Sequence, residues 1–137
     1  MAGKILLEVV TPEKQLLSQE VDEVIAPGSE GEFCVLPGHC HFLSTLRIGE
    51  LRYRVGDRTN HMAILWGYAE VTPHKVTVMA EIAEKAEDID VERAQAAVAK
   101  AEQRLKAGGL PSEVKEAEIS LEKARLRMKL AQRARKF

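Results

Sequence analysis

The sequence predicts an α+β protein: an N-terminal antiparallel β-sandwich followed by a C-terminal antiparallel two-helix hairpin. Three observations lead there. Seven of the nine glycines and four of the five prolines precede residue 82. Short apolar runs in that stretch alternate with polar residues at a period of two, which turns one face to a core and the other to water. Beyond Glu81 the texture changes to alanine and charge, with apolar residues at steps of three and four. The expected division is residues 1–84 for the sandwich and 85–137 for the hairpin, with helices over about 89–107 and 113–134.

In chain order, Ile5, Leu7 and Val9 open the first strand. Turn residues follow at Pro27-Gly28-Ser29-Glu30-Gly31 and Pro37-Gly38, flanking the apolar run Phe33-Cys34-Val35-Leu36. Leu51, Tyr53 and Val55 alternate with Arg52 and Arg54, and Gly56-Asp57 ends the run. Val76, Val78 and Ala80 alternate with Thr77 and Met79 after the Pro73-His74 turn. Closely spaced short strands with such turns predict a sandwich or barrel.

In the second half, Val91, Ala94, Val98, Ala101 and Leu105 form one helical stripe, with Asp88 or Asp90 as its cap. Gly108-Gly109-Leu110-Pro111 breaks that helix. Ser112 is the expected cap of the next, whose stripe is Val114, Ala117, Leu121, Ala124, Met128 and Ala131. A short Gly-rich connection between two such helices makes an antiparallel hairpin. An alanine seam brings helices close but buries little area, so the hairpin is marginal alone.

Charge divides with the texture. Residues 1–87 carry 8 Lys+Arg against 13 Asp+Glu, a net −5, and residues 88–137 carry 12 against 8, a net +4; together they recover the total of −1. The total gives no support to a general polyanion-binding role, and the split suggests two units with different partners. Two cysteines are no disulfide framework and suit a reducing compartment. Met1-Ala-Gly-Lys-Ile-Leu-Leu-Glu lacks a signal-peptide layout. No apolar run approaches the roughly 20 residues of a membrane span, so a cytoplasmic protein is expected, linked to any membrane only through a partner.

Cys34, His39, Cys40 and His41 have the right ligand types for zinc, but their spacing matches no common finger. A Cys34–His39 nucleophile pair lacks an accompanying carboxylate or oxyanion signature, and Cys34 reads as inert strand packing. The Gly28–Glu32 turn lacks the Gly-Lys-Ser/Thr ending of a phosphate loop. Ile89-Asp90-Val91-Glu92-Arg93-Ala94 reads, on spacing, as a helix opening capped by Asp90. From Arg125 onward, Arg125, Arg127, Lys129, Arg133, Arg135 and Lys136 stand without an acidic residue. That run reads equally as a solvated helix end or as a docking site for an acidic protein surface. The absence of nearby aromatic residues weakens a nucleic-acid role.

Over nearly its whole length the sequence resembles the epsilon-subunit family of bacterial F-type ATP synthases. The resemblance rests on Gly28-Ser29-Glu30-Gly31-Glu32-Phe33-Cys34-Val35-Leu36-Pro37-Gly38-His39 and on Ile48-Gly49-Glu50-Leu51. It continues through Trp66-Gly67-Tyr68-Ala69-Glu70-Val71 and through Ala83 to Asp90 with the Arg93-Ala94 pair. It implies a non-catalytic rotor subunit with no required cofactor or metal, peripheral on the cytoplasmic face of the bacterial inner membrane. Its partners would be the gamma subunit, the c-ring and the beta and alpha subunits, with no nucleic acid and no membrane insertion. By the same resemblance, Glu32 and His39 face the c-ring. The hairpin either folds back or extends to obstruct ATP hydrolysis, bringing Arg125, Arg127, Lys129 and Arg133 to an acidic segment of beta. Some family members bind regulatory ATP through an Ile/Leu-Asp-x-x-Arg-Ala motif, matched here by Ile89, Asp90, Arg93 and Ala94. Glu84, Lys123 and Arg127 correspond to the further ligands, with lysine at 123 in place of arginine, a point charge without arginine's planar fork.

Overall fold

The computed structural model describes residues 3–38 and 41–135, and the backbone alone at Arg135. Two compact units meet in sequence between Lys85 and Ala86.

The first unit has eight strands: β1 (Ile5–Val10), β2 (Gln15–Val21), β3 (Glu23–Gly28), β4 (Gly31–Val35), β5 (Phe42–Leu46), β6 (Gly49–Val55), β7 (Arg58–Val71) and β8 (Lys75–Lys85). They run in the order β2-β1-β8-β7-β5-β3-β4, with β6 paired to β3 and β7. The alternating runs bury the faces their period assigns: Ile5, Leu7, Val9, Leu51, Val76 and Val78 are all fully buried in one core, joined by Met62 and Ile64. The expectation of an antiparallel sheet has one exception. β1 and β8 pair in parallel, Leu7 opposite Val76. A parallel pair needs a long crossover, and everything between the first and last strands supplies it.

β7 has three partners: it pairs with β8 on one edge and with two strands in turn on the other. Its first half pairs with β6 and its last residues pair with β5. Between them the strand bends at Trp66, at φ 59°, and Gly67, at φ 147°. A Cβ at Gly67 would meet the Met79 carbonyl oxygen at 2.1 Å, so the strand passes β8 here only because this residue has no side chain. The β6–β7 loop is the pair Gly56-Asp57, with Gly56 at φ 62° as a type II′ hairpin turn requires.

The second unit opens with a 3₁₀ turn, Ala86–Asp88, and continues as α1 (Val91–Ala107) and α2 (Pro111–Arg135). Asp90 is the N-cap of α1, its carboxylate accepting the Arg93 N–H at 3.1 Å. Gly108, at φ 70°, ends the helix. α2 begins before the expected Ser112 cap. Pro111 fits a first helical turn, having no N–H to leave unpaired and a fixed φ, and Glu113 accepts the Leu110 N–H at 3.4 Å.

The seam holds Val91, Ala94 and Ala101 from α1 and Ala117, Leu121, Ala124 and Ala131 from α2, all buried. Met128 is only half-buried, while Leu130, off the expected stripe, is fully buried. Ile119, Leu126 and Leu130 add a second apolar line to α2, wider than a single seam needs. Ion pairs Arg104–Glu116 at 3.8 Å and Arg125–Glu102 at 3.6 Å fasten the antiparallel register. Both are exposed and contribute little beyond that register.

Candidate functional site

Among the residues implicated in nucleotide binding, Glu84 lies on β8 of the first unit, opposite Ala63. The other six belong to the second unit. Ile89 is half-buried, its N–H donated to the Ala86 carbonyl at 3.3 Å. Asp90 and Arg93 are exposed in the first turn of α1, and Ala94 is buried beneath them. Lys123 and Arg127 stand one turn apart on α2, both half-buried and both engaged with neighbouring groups. In the antiparallel register, Arg127 belongs to the end of α2 level with the start of α1. Arg93 and Arg127 therefore share one end of the hairpin with the positive pole of α1, a combination that suits a polyphosphate. Asp90 has an architectural duty: its carboxylate closes the helix, which accounts for an acid at that position with no ligand present.

The basic residues of α2 form an ordered set. Arg125, Lys129 and Arg133 follow at steps of four and so share a face. Arg125 and Lys129 are exposed, and Arg133 is half-buried and engaged. Lys136 lies outside the described residues.

On the sandwich, Glu32 is exposed on β4 and pairs with the Arg52 guanidinium at 3.3 Å. His39, expected beside it, lies outside the described residues, as does Cys40. The second arm of Arg52 donates to Glu50 at 2.9 Å. That bond to Glu50, ahead of the weaker one to Glu32, pushes the guanidinium still further up from its ordinary value. Glu50 is 6% exposed and is the one buried charged residue among those described. Sequence reasoning placed it in a turn and strand without a role. Alternation predicts an outward, wet side chain there; Arg52, two residues along β6, and His61 of β7 come within 2.9 and 3.3 Å of its carboxylate.

A second polar centre is Asp22, between β2 and β3. It accepts the Gly56 N–H at 2.7 Å and pairs with Lys4 at 3.1 Å. The Gly56 hydrogen bond, followed by Lys4, holds its carboxyl below the usual range. The centre ties the β2–β3 corner to the β6–β7 turn.

Cys34 departs from the expected inert packing: it is exposed, because its position on β4 alternates with the inward Val35. Its thiol donates to Glu23 at 3.3 Å. Burial, then that hydrogen bond, pushes the thiol up, away from the thiolate a nucleophile needs. Among the described residues no group of three His, Cys, Asp or Glu side chains could hold a metal. Sequence reasoning also missed a group of exposed apolar side chains on and beside the strands. Leu36, Phe42, Leu43 and Tyr68 are 50%, 41%, 68% and 46% exposed. Phe42 packs edge-on against Phe33 with centroids 5.1 Å apart. Leu43 and Tyr68 come to the same face because their cross-strand partners are Glu70 and Thr45.

Comparison with known proteins gives both units a counterpart. The family model for the ATP synthase delta/epsilon chain β-sandwich domain matches residues 4–86, and that for the delta/epsilon long α-helix domain matches residues 87–132. The ATP synthase epsilon chain of Syntrophobacter fumaroxidans is 53% identical over 133 residues, covering 97% of this chain and 99% of the relative. That of Geobacter metallireducens is 52% identical over 134 residues, covering 96% of each. Among solved structures, a chain in the Euglena gracilis mitochondrial ATP synthase OSCP/F1/c-ring assembly superposes with a TM-score of 0.78 at 25% identity, over 89% of this chain and 78% of that one. A chain of the Tetrahymena thermophila mitochondrial ATP synthase central stalk and c-ring shares the fold, with a TM-score of 0.60 at 15% identity over 93% and 96% of the two chains.

Proposed function

The chain belongs to the ATP synthase delta/epsilon family, and from that premise we propose that it is a central-stalk subunit of a proton-driven ATP synthase, coupling gamma to the c-ring and restraining ATP hydrolysis. The observation that carries this reading is the 53% identity to an epsilon chain across 97% of the chain, with both units matched in order. In this role the protein makes no covalent chemistry, and catalysis belongs to other subunits.

The sandwich is the docking platform. Its exposed Leu43 and Tyr68 supply the apolar area an obligate contact needs, and Glu32 belongs to the side toward the c-ring. The hairpin is the regulatory arm. Its alanine seam makes it a weakly held pair of helices, so a modest difference in contact energy selects between a folded and an extended state. Extended, the face of Arg125, Lys129 and Arg133, with Arg127 beside it, meets an acidic segment of beta. ATP, held by Arg93, Arg127 and Lys123 beside Asp90, stabilises the folded state; scarcity of ATP releases it. No helix among the described residues is long and apolar enough to cross a membrane, and the reading places the protein at the cytoplasmic face of the inner membrane through its partners.

Two experiments test this. Affinity purification of the tagged chain from detergent-solubilised membranes brings down gamma, the c subunit and the catalytic head; recovery of the chain alone overturns the assembly reading. Calorimetric titration with ATP gives binding that Arg93→Ala removes. Absence of binding at about millimolar ATP, the usual scale of substrate levels, overturns the ATP-sensing part.

A further inference from the structure

One guanidinium bridges two carboxylates of very different exposure. Arg52 donates through Nη1 to Glu50 at 2.9 Å and through Nη2 to Glu32 at 3.3 Å. The Glu50 side chain is 5% exposed and the Glu32 side chain 46%. Glu50 has further interactions besides this one. The inner carboxylate is therefore a fixed point, and the outer one stands in water.

The bridge crosses a strand. β3 lies between β6 and β4, with Ile25 paired to Arg52 on one side and to Cys34 on the other. Glu32 belongs to β4, which ends the strand order, and its cross-strand neighbour Pro27 has no polar side chain to hold a carboxylate. Cys34, two residues along β4, gives its thiol to Glu23. Among the described residues Arg52 is the one group bonded to the Glu32 side chain, and it takes only Oε1. A carboxylate offers about four acceptor sites, which leaves Oε2 for a donor from outside. A lone exposed Arg–Glu pair orients little. Here the planar fork is first fixed on an enclosed carboxylate, so its second arm has a set direction.

We propose that Arg52 is a positioning residue: anchored on Glu50, it sets the Glu32 carboxylate in the orientation in which a hydrogen-bond donor of the partner meets it. The inference rests on the reading of Glu32 as part of the side toward the c-ring, and it assigns the residue that prepares that contact. A side chain ordered before docking has less freedom to lose on docking.

The test is the affinity of the full chain for the enzyme stripped of this subunit, with Glu32→Gln, Arg52→Lys and both together. Lysine keeps the charge but has no fork, so it cannot hold two carboxylates in one geometry. Arg52→Lys alone is expected to weaken binding about two- to tenfold, the ordering cost of one long side chain. In the Glu32→Gln background it is expected to weaken binding no further, because the carboxylate it orients is gone. A merely structural loss weakens binding equally in both backgrounds, and that result overturns the proposal. Arg52→Lys without effect, where Glu32→Gln weakens binding, overturns the positioning role and leaves the c-ring reading of Glu32 standing. Glu32→Gln without effect overturns that reading and the proposal together. Where Arg52→Lys does not fold, ¹⁵N spectra of the wild-type guanidinium replace the cycle. Separate Nη1 and Nη2 signals are expected of a fork held at both ends, and one averaged signal overturns the proposal.

Discussion

Replacing Ala117 by leucine probes the alanine seam directly. Ala117 is fully buried between the two helices, with Ala101, Ala124 and Ala94 close to it in exposure at 2%, 2% and 3%. Leucine adds three carbon atoms where the helices leave room for one methyl, and overpacking of this kind costs about 1–3 kcal/mol. Ala97 on α1 is exposed, so the same substitution there meets water and changes stability by less than about 0.5 kcal/mol. Hydrogen exchange of α1 and α2 amides reads the difference. An opening cost lowered by about 1–3 kcal/mol speeds exchange by roughly five- to 150-fold. Ala117→Leu is expected in that range, with strand amides of the sandwich unaffected, and Ala97→Leu at wild-type rates. Equal exchange in the two variants refutes the claim that close alanine packing holds the hairpin. Acceleration that extends through β1 and β8 refutes its independence.

Other changes follow from the sandwich. Gly67→Ala introduces both the 2.1 Å collision with the Met79 carbonyl and a φ of 147° that an L-residue rarely adopts. It is expected to cost more than the ~1–2 kcal/mol of left-handed strain alone, as a drop in Tm. Arg52→Met removes the hydrogen bond to the enclosed Glu50, at a cost of about 1–3 kcal/mol in urea unfolding at neutral pH. Asp22 has its carboxyl lowered by Gly56 and Lys4, so its stabilisation is present above the unfolded value and disappears as pH falls through the folded one. The gap in urea midpoint between wild type and Asp22→Asn is accordingly widest near neutrality and closes in acid; a gap that widens in acid contradicts the assignment.

The strands that were legible in the sequence are those with unbroken alternation. Ile5, Leu7 and Val9, or Val76 and Val78, announce their inward face because one side is core and the other is not. β7 was harder, because Met62, Ala63, Ile64 and Leu65 are buried in succession and the Trp66–Gly67 bend then resets the pattern. The parallel β1–β8 pairing joins the two ends of the unit, and no local period records a partner that far away in the chain. Asp90 as a cap was readable because the capping bond lies within three residues. Leu130 was not, because a helix with a second apolar line gives no single stripe to follow. The nucleotide ligands came only from resemblance. Spacing puts Lys123 and Arg127 on one helical face but cannot say what they hold. Glu50 escaped notice because its surroundings are assembled from β4, β6 and β7.

The central claim is that the helical unit restrains hydrolysis by an enzyme to which the sandwich docks. The most direct measurement is the ATPase rate of the assembled enzyme carrying the full chain or residues 1–85 alone, the division lying between Lys85 and Ala86. The expected result is normal assembly with faster hydrolysis in the truncated form. Unchanged hydrolysis in a normally assembled enzyme would contradict the claim.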